Sequence, residues 1–120
     1  MKKVLFAGLL AFGLVGCASP VAQCKDSVKV SCQRIFECFD SATKSSAGFV
    51  ASFGATETEC NTKQGSLSCA NVTDEKPCTD SSKKYSSEKA AACINDFKSA
   101  SCETIRGGTF ASANCDNTCS

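Results

Sequence analysis

Cysteine is the residue type in this sequence with the widest range of possible chemistry. The chain has 11 cysteines in 120 residues, a density typical of disulfide-stabilised scaffolds. A thiol oxidoreductase would need a Cys-x-x-Cys pair at a helix start, where backbone amides favour the thiolate. The closest pair, Cys115 and Cys119, has three intervening residues, which predicts two structural bridges leaving one short turn. Because no paired Cys-x-x-Cys ligands occur either, we expect no zinc site.

Other catalytic groups are sparse or scattered. The chain has no histidine, so the commonest general base and metal ligand are missing. Ser-x-x-Lys, the nucleophile motif of penicillin-recognising enzymes, is expected by chance in a chain this rich in serine and lysine; it occurs at Ser41/Lys44, Ser81/Lys84 and Ser86/Lys89. We therefore expect no catalytic residue, no metal and no dissociable cofactor.

A cluster of carboxylates is the remaining catalytic candidate. Asp74, Glu75 and Asp80 could serve glycoside hydrolysis, but they lie in a Ser/Thr/Lys-rich stretch with no aromatic platform for a sugar. An enzyme with Ser, Thr or carboxylate chemistry stays open only if a deep polar cleft gathers Asp74, Asp80 and a lysine.

The first residues have the organisation of an export signal. Lys2 and Lys3 form a positive start, and an apolar run of 12 residues covers positions 4–15. A helix of that length spans about 18 Å, which is short of the roughly 30 Å hydrocarbon core of a bilayer. The run therefore predicts a cleaved signal peptide and not a transmembrane anchor.

The end of this run, Leu14-Val15-Gly16-Cys17, resembles the lipobox of bacterial lipoproteins. In that family the cysteine thiol receives diacylglycerol, cleavage makes the cysteine the first mature residue, and its amino group takes an acyl chain. The resemblance implies a signal peptide over residues 1–16, a covalent lipid on Cys17 and a membrane as partner. It favours the outer membrane over the inner, because Ala18 stands where inner-membrane lipoproteins carry aspartate.

Ordinary signal-peptide cleavage is the alternative. Gly16 and Ala18 are small residues that signal peptidase accepts, and cleavage after Ala18 would release a secreted protein. Both routes take Cys17 out of disulfide pairing and leave ten of the 11 cysteines. The even number supports export without choosing between the routes, whereas the complete lipobox favours lipidation.

The remaining chain has few large apolar residues, and Leu67 is its one leucine after residue 16. Disulfides can compensate for a thin core, since each contributes about 2 to 4 kcal/mol, largely by restricting the unfolded chain. Such bonds persist in an oxidising compartment, in agreement with export. With 13 basic and 12 acidic residues, the charge gives no indication of a nucleic-acid partner.

Helical patterns predict how the cysteines are positioned. We predict that residues 17–23 form a lipidated N-terminus and a tether, and that residues 24–120 form one domain. An apolar face recurs at helical spacing over residues 25–39 and, more weakly, over residues 41–53. Thr56 and Glu59 fit a capping box that opens a short helix carrying Cys60. Residues 86–106 predict one long helix, while residues 68–84 and the tail from residue 109 predict irregular chain.

These elements predict an all-α, disulfide-rich domain of three to four helices with five disulfides. The ten half-cystines are Cys24, Cys32, Cys38, Cys60, Cys69, Cys78, Cys93, Cys102, Cys115 and Cys119. Cys32 and Cys38 lie about 9 Å apart along one helix, and a disulfide needs Cα atoms within about 7 Å. The same geometry excludes a bond between Cys93 and Cys102. These four should join the first and last long helices to each other, to Cys60 and to the tail; the full pairing stays open.

After the lipobox the chain presents, in order, Cys32-Gln-Arg-Ile-Phe-Glu-Cys38, Phe53-Gly-Ala-Thr-Glu-Thr-Glu-Cys60, Cys69, Cys78, Tyr85-Ser-Ser-Glu-Lys-Ala-Ala-Ala-Cys93-Ile94 and Ser101-Cys102. This order of spacings resembles the small Cys-rich lipoproteins of myxobacterial-type deltaproteobacteria. The resemblance implies a small helical envelope protein and carries over no activity or catalytic residue.

We therefore expect a lipid-anchored, non-catalytic binding or structural module of the cell envelope, with an envelope or extracellular protein as its partner. The alternative is a secreted, disulfide-stabilised inhibitor or effector.

Overall fold

The structure is a computed structural model that describes residues 19–120. The predicted signal peptide, the lipobox and Cys17 lie outside the described residues. The described chain forms seven helices: α1 Pro20–Cys38, α2 Ser41–Lys44, α3 Ala47–Phe53, α4 Glu57–Ser68, α5 Ser87–Ser99, α6 Cys102–Gly107 and α7 Ala113–Asp116. The all-α class is confirmed, with more and shorter helices than the three to four expected. None of these helices is both long and apolar enough to cross a bilayer.

Each of the seven helices begins at a side-chain cap. In every case the cap oxygen accepts a hydrogen bond from the backbone N–H three residues further on; the caps are Ser19, Asp40, Ser46, Thr56, Ser86, Ser101 and Ser112. Such a cap contributes about 1 kcal/mol of helix stability. Local capping therefore explains part of the high serine and threonine content.

The first helix begins earlier than the sequence pattern predicts. Ser19 caps it and Pro20 takes its first position, where the missing proline N–H costs nothing. Residues 20–23 are therefore helical and do not form the expected tether. Gln23, inside that segment, is 2 % exposed, so the packed domain starts close behind position 17.

Two stretches predicted as continuous helices are interrupted by serine caps. Ser46 accepts from Phe49 N at 3.3 Å and starts α3 after a break behind α2. Ser101 accepts from Thr104 N at 3.1 Å, while Ala100 before it is extended with ψ 145°. The prediction of one helix over residues 86–106 was therefore wrong. The helical spacing of apolar residues continues across Ser101, but the Ser101 side chain takes the place of a backbone acceptor and starts a new helix.

The predicted capping box at the start of α4 forms in a modified way. Thr56 Oγ1 accepts from Glu59 N at 3.2 Å, as expected. Glu59 Oε2 accepts from Ala55 N at 2.6 Å instead of from the cap residue itself. Gly54, with φ +84°, makes the turn from α3 into this cap.

Helices α4, α5 and α6 pack on α1, whereas α7 packs on α5 and α3 packs on α4. Helix α4 runs antiparallel to α1 and is bonded to it by Cys24–Cys69 and Cys32–Cys60. Helix α5 runs in the same direction as α1. The core cluster consists of Val28, Cys32 and Cys60, with Phe36, Phe53 and Cys69 packed against it. Among the described residues, half-cystines thus supply much of the buried apolar volume.

The remaining disulfides are Cys38–Cys102, Cys78–Cys119 and Cys93–Cys115. The predicted exclusions are confirmed, since neither Cys32–Cys38 nor Cys93–Cys102 forms. Cys115 and Cys119 leave the same turn for different partners, also as predicted. The tail is more regular than expected, because it contains α7 and pairs Cys119 with Tyr85 in an isolated antiparallel bridge.

Candidate binding site

A pocket of about 180 Å³ lies where the first turns of α1, the loop after α4, helix α5 and the tail meet. Its lining residues are Pro20, Gln23, Cys24, Ser27, Val72, Pro77, Tyr85, Ala90, Cys93, Ile94, Thr118 and Cys119. None of these side chains is an acid, a lysine or an arginine. The pocket is therefore mainly apolar and carries no formal charge.

Three disulfides reach the wall of this pocket. Cys24 ties α1 to the end of α4, Cys93 ties α5 to α7, and Cys119 ties the tail to Cys78. Backbone hydrogen bonds close the same region, with Lys84 N donating to Ser120 O at 2.9 Å and Ser86 N to Thr118 O at 2.8 Å. The segments around the pocket are thus cross-linked to one another, which restricts its collapse.

Gln23 and Tyr85 are the polar pair of the pocket. The Tyr85 hydroxyl donates to Gln23 Oε1, and Gln23 Nε2 donates to Ser87 O at 2.9 Å. Burial raises the pKa of Tyr85 above its usual value, because the phenolate would lose hydration. Tyr85 therefore stays a neutral phenol at physiological pH, able to donate one hydrogen bond and to accept others.

A second concave surface lies between α1 and α4. This groove has a volume of about 430 Å³ and is lined by Lys25, Val28, Lys29, Asn61, Thr62, Gly65, Cys69 and Ala70. Its two lysines make it basic. The side-chain oxygen of Asn61 is buried and has no hydrogen-bond partner among the described residues.

The carboxylates singled out from the sequence act as local structural groups. Asp74 Oδ1 accepts from Val21 N at 3.3 Å and fastens its loop to the start of α1. Asp80 accepts from the Ser82 side chain at 2.7 Å and from Ser82 N at 2.9 Å, and these bonds lower the pKa of Asp80. Neither residue lines the pocket or the groove described above, and both are exposed.

Two of the three Ser-x-x-Lys matches contain residues with local structural roles. Lys44 Nζ donates to Phe36 O at 3.0 Å, and Ser86 caps α5 by accepting from Lys89 N at 3.2 Å. Within residues 19–120, no three Cys, Asp or Glu side chains gather to form a potential metal site.

Sequence reasoning missed Gln23 and Tyr85 as partners. The predicted tether includes Gln23, although Ser19-Pro20 is a helix-start signature that extends α1 over this residue. Tyr85 lies 62 residues away from Gln23 in the chain, and no local pattern connects the two. No family model matches the chain, and no curated protein and no solved structure matches it either.

Proposed function

We propose that this protein is a lipid-anchored binding module of the cell envelope. The observation that carries the proposal is the complete lipobox Leu14-Val15-Gly16-Cys17, and the pairing of the other cysteines supports it. All ten cysteines of residues 19–120 form five disulfides, and Cys17 is the eleventh. The ten cysteines of the described residues pair among themselves, and the eleventh stands at the end of the lipobox.

Two further observations agree with export and with an anchor at Cys17. Five disulfides in a chain of this size need an oxidising compartment, and export provides it. Helix α1 begins at Pro20, so a lipid on Cys17 would hold the domain directly at the membrane surface. Diacylglycerol together with an acyl chain gives stable anchoring, whereas a single chain binds a bilayer only weakly.

The binding role rests on the preformed pocket. Its walls are cross-linked by three disulfides, and its polar pair consists of the buried Gln23 and the partly buried Tyr85. A concave, mostly apolar site with a few convergent polar groups is the usual form of a ligand site. The partner that we propose is a protein of the envelope or of the extracellular space. Such a partner agrees with an anchor at the outer membrane, which Ala18, the residue after Cys17, favours.

The intact mass of the protein from its native host tests the anchor. We expect residues 17–120 plus diacylglycerol and one acyl chain, with ten alkylatable thiols only after reduction. An unlipidated chain that begins at Ser19 would contradict the anchor. Free thiols before reduction would contradict the five disulfides that support export.

A secreted inhibitor or effector is the second candidate, and the start of α1 is compatible with it. Cleavage after Ala18 would leave Ser19 as the first residue, so the N-cap of α1 would be preserved. Fractionation of the host distinguishes the two functions. Recovery with the membrane supports the anchored module, and recovery from the medium supports the secreted form.

A further inference from the structure

We propose that the pocket around Tyr85 binds a small uncharged ligand, a single ring or a short aliphatic chain that carries one hydroxyl group. Phenol and its methyl derivatives represent this class. The inference rests on the binding role proposed above, but not on the lipid anchor. It follows from the volume, the charge and the hydrogen-bonding capacity of the pocket.

The volume limits the size of the ligand. The pocket measures about 180 Å³, and an apolar protein cavity of about 150 Å³ accommodates benzene. One ring with one or two substituent atoms therefore fills the pocket. A second ring or a peptide side chain with its backbone would extend beyond its walls.

The lining determines the charge of the ligand. The polar side chains of the lining belong to Gln23, Ser27, Tyr85 and Thr118, all of which are neutral. An ionic ligand would lose hydration without meeting an opposite charge, which is strongly unfavourable. The pocket therefore selects an uncharged molecule, in contrast to the groove that contains Lys25 and Lys29.

The hydroxyl requirement follows from Tyr85. Its proton is directed to Gln23 Oε1, so the phenolic oxygen presents only its acceptor capacity to the pocket. A ligand hydroxyl can donate to this oxygen, whereas a ligand with only acceptors cannot. Because Gln23 is itself held by Ser87 O, the orientation of the Tyr85 hydroxyl is set before a ligand enters.

The test compares p-cresol, toluene and p-hydroxybenzoate as probes. They are titrated into the mature protein from its host, in detergent micelles if it carries lipid, and binding is followed by amide chemical shifts. We expect p-cresol to bind about fivefold more tightly than toluene, as one hydrogen bond predicts. The charged p-hydroxybenzoate should bind more weakly than either. Equal binding of all three probes would overturn the proposal.

Variants locate the effect. Tyr85→Phe should reduce the preference for p-cresol over toluene to less than about twofold, since the acceptor is lost. Ala90→Leu should weaken both neutral probes about tenfold or more by filling the pocket. Ala92→Leu places the same change on α5 away from the pocket lining and should leave binding unchanged.

Ser27→Leu fills the pocket from α1 and is the second filling variant in case Ala90→Leu disturbs the fold. Intact disulfides and an unchanged helical circular dichroism spectrum establish folding of each variant. Undiminished binding in a folded filling variant would overturn the site. Probe binding can be measured in lipidated and in unlipidated protein. A pocket that does not bind the probes is therefore distinguishable from a protein that lacks the lipid anchor.

Discussion

Arg34 on α1 donates a hydrogen bond to a carbonyl at the C-terminal end of α5, and Arg106 on α6 donates one to a carbonyl at the C-terminal end of α1. Arg34 Nη2 donates to Ala100 O at the end of α5, and Arg106 Nη1 donates to Cys38 O at the end of α1, at 2.9 Å. The Cys38–Cys102 disulfide joins the same two segments. A guanidinium at a helix C-terminus meets unpaired carbonyls and the negative end of the helix dipole.

Replacing either arginine should therefore loosen the junction of α1 with α5 and α6. We expect Arg34→Met to lower the free energy of unfolding by about 2 kcal/mol, as for a hydrogen bond to a charged group. Arg106→Met should cost less, because Arg106 is exposed. Urea unfolding without reductant measures both. Lys29→Met is the control, since Lys29 is exposed and such surface changes stay within about 0.5 kcal/mol. Equal values for Arg34→Met and the control would contradict the capping role.

Among the glycines of residues 19–120, Gly54 is the one where a side chain is least tolerated. A Cβ at Gly54 would lie 2.5 Å from Glu59 Cβ, and the backbone φ is +84°. We expect Gly54→Ala to destabilise the fold by about 3 kcal/mol through strain and overpacking. Gly48 lies inside α3 with nothing within 4 Å of an added Cβ, so Gly48→Ala should stabilise by about 0.5 to 1 kcal/mol. Denaturant midpoints that shift in the same direction would refute this contrast.

The disulfides should differ in how much each contributes to the free energy of unfolding, and this contribution should depend on burial more than on loop length. Cys32–Cys60 closes a separation of 28 residues and Cys78–Cys119 one of 41, so chain entropy gives both about 3 to 4 kcal/mol. Cys32 and Cys60 are 0 % exposed, and their removal also leaves a cavity. We expect the double replacement Cys32→Ala/Cys60→Ala to cost at least about 1 kcal/mol more than Cys78→Ala/Cys119→Ala. Thermal unfolding of the two variants decides the order, and a larger loss at Cys78–Cys119 would favour the purely entropic account.

The helical class and the exclusion of Cys32–Cys38 were predictable because both follow from local periodicity. An apolar residue every three or four positions identified α1, and six residues of helical rise separate Cys32 from Cys38 whatever surrounds them. The exclusion of Cys93–Cys102 holds for another reason than the rise of one helix, because Cys93 lies in α5 and Cys102 in α6. The breaks at Ser46 and Ser101 were not predicted. A serine at a cap and a serine inside a helix look alike in sequence, and the tertiary position of the next helix decides between them.

The candidate site was not predictable for a different reason. Gln23 and Tyr85 meet only because α1 and α5 are held side by side, and that arrangement depends on which of the ten cysteines pair. The sequence narrowed the pairing without determining it. Asp74 and Asp80, by contrast, are conspicuous in sequence and serve the loop between α4 and α5.

The stability of the fold should depend on pH through the carboxylate of Asp96. Its carboxylate accepts from Ser112 Oγ at 2.6 Å and from Asn114 Nδ2 at 3.0 Å, and these bonds lower the pKa of Asp96 below its usual 3.8. A lowered folded pKa means that the charged form stabilises α7 above about pH 4 and that this contribution disappears as the pH falls through the folded value.

Asp96→Asn removes this titration and keeps the shape of the side chain. The stability difference between wild type and Asp96→Asn should be largest near neutral pH and should shrink steadily below pH 4, because protonated Asp96 no longer has its charge-assisted bonds. Urea unfolding at several pH values between neutrality and strong acid measures the difference, and the disulfides keep the chain cross-linked throughout. Asp116→Asn on the exposed face of α7 is the matched control. A difference that stays constant across this pH range would show that Asp96 acts by shape alone.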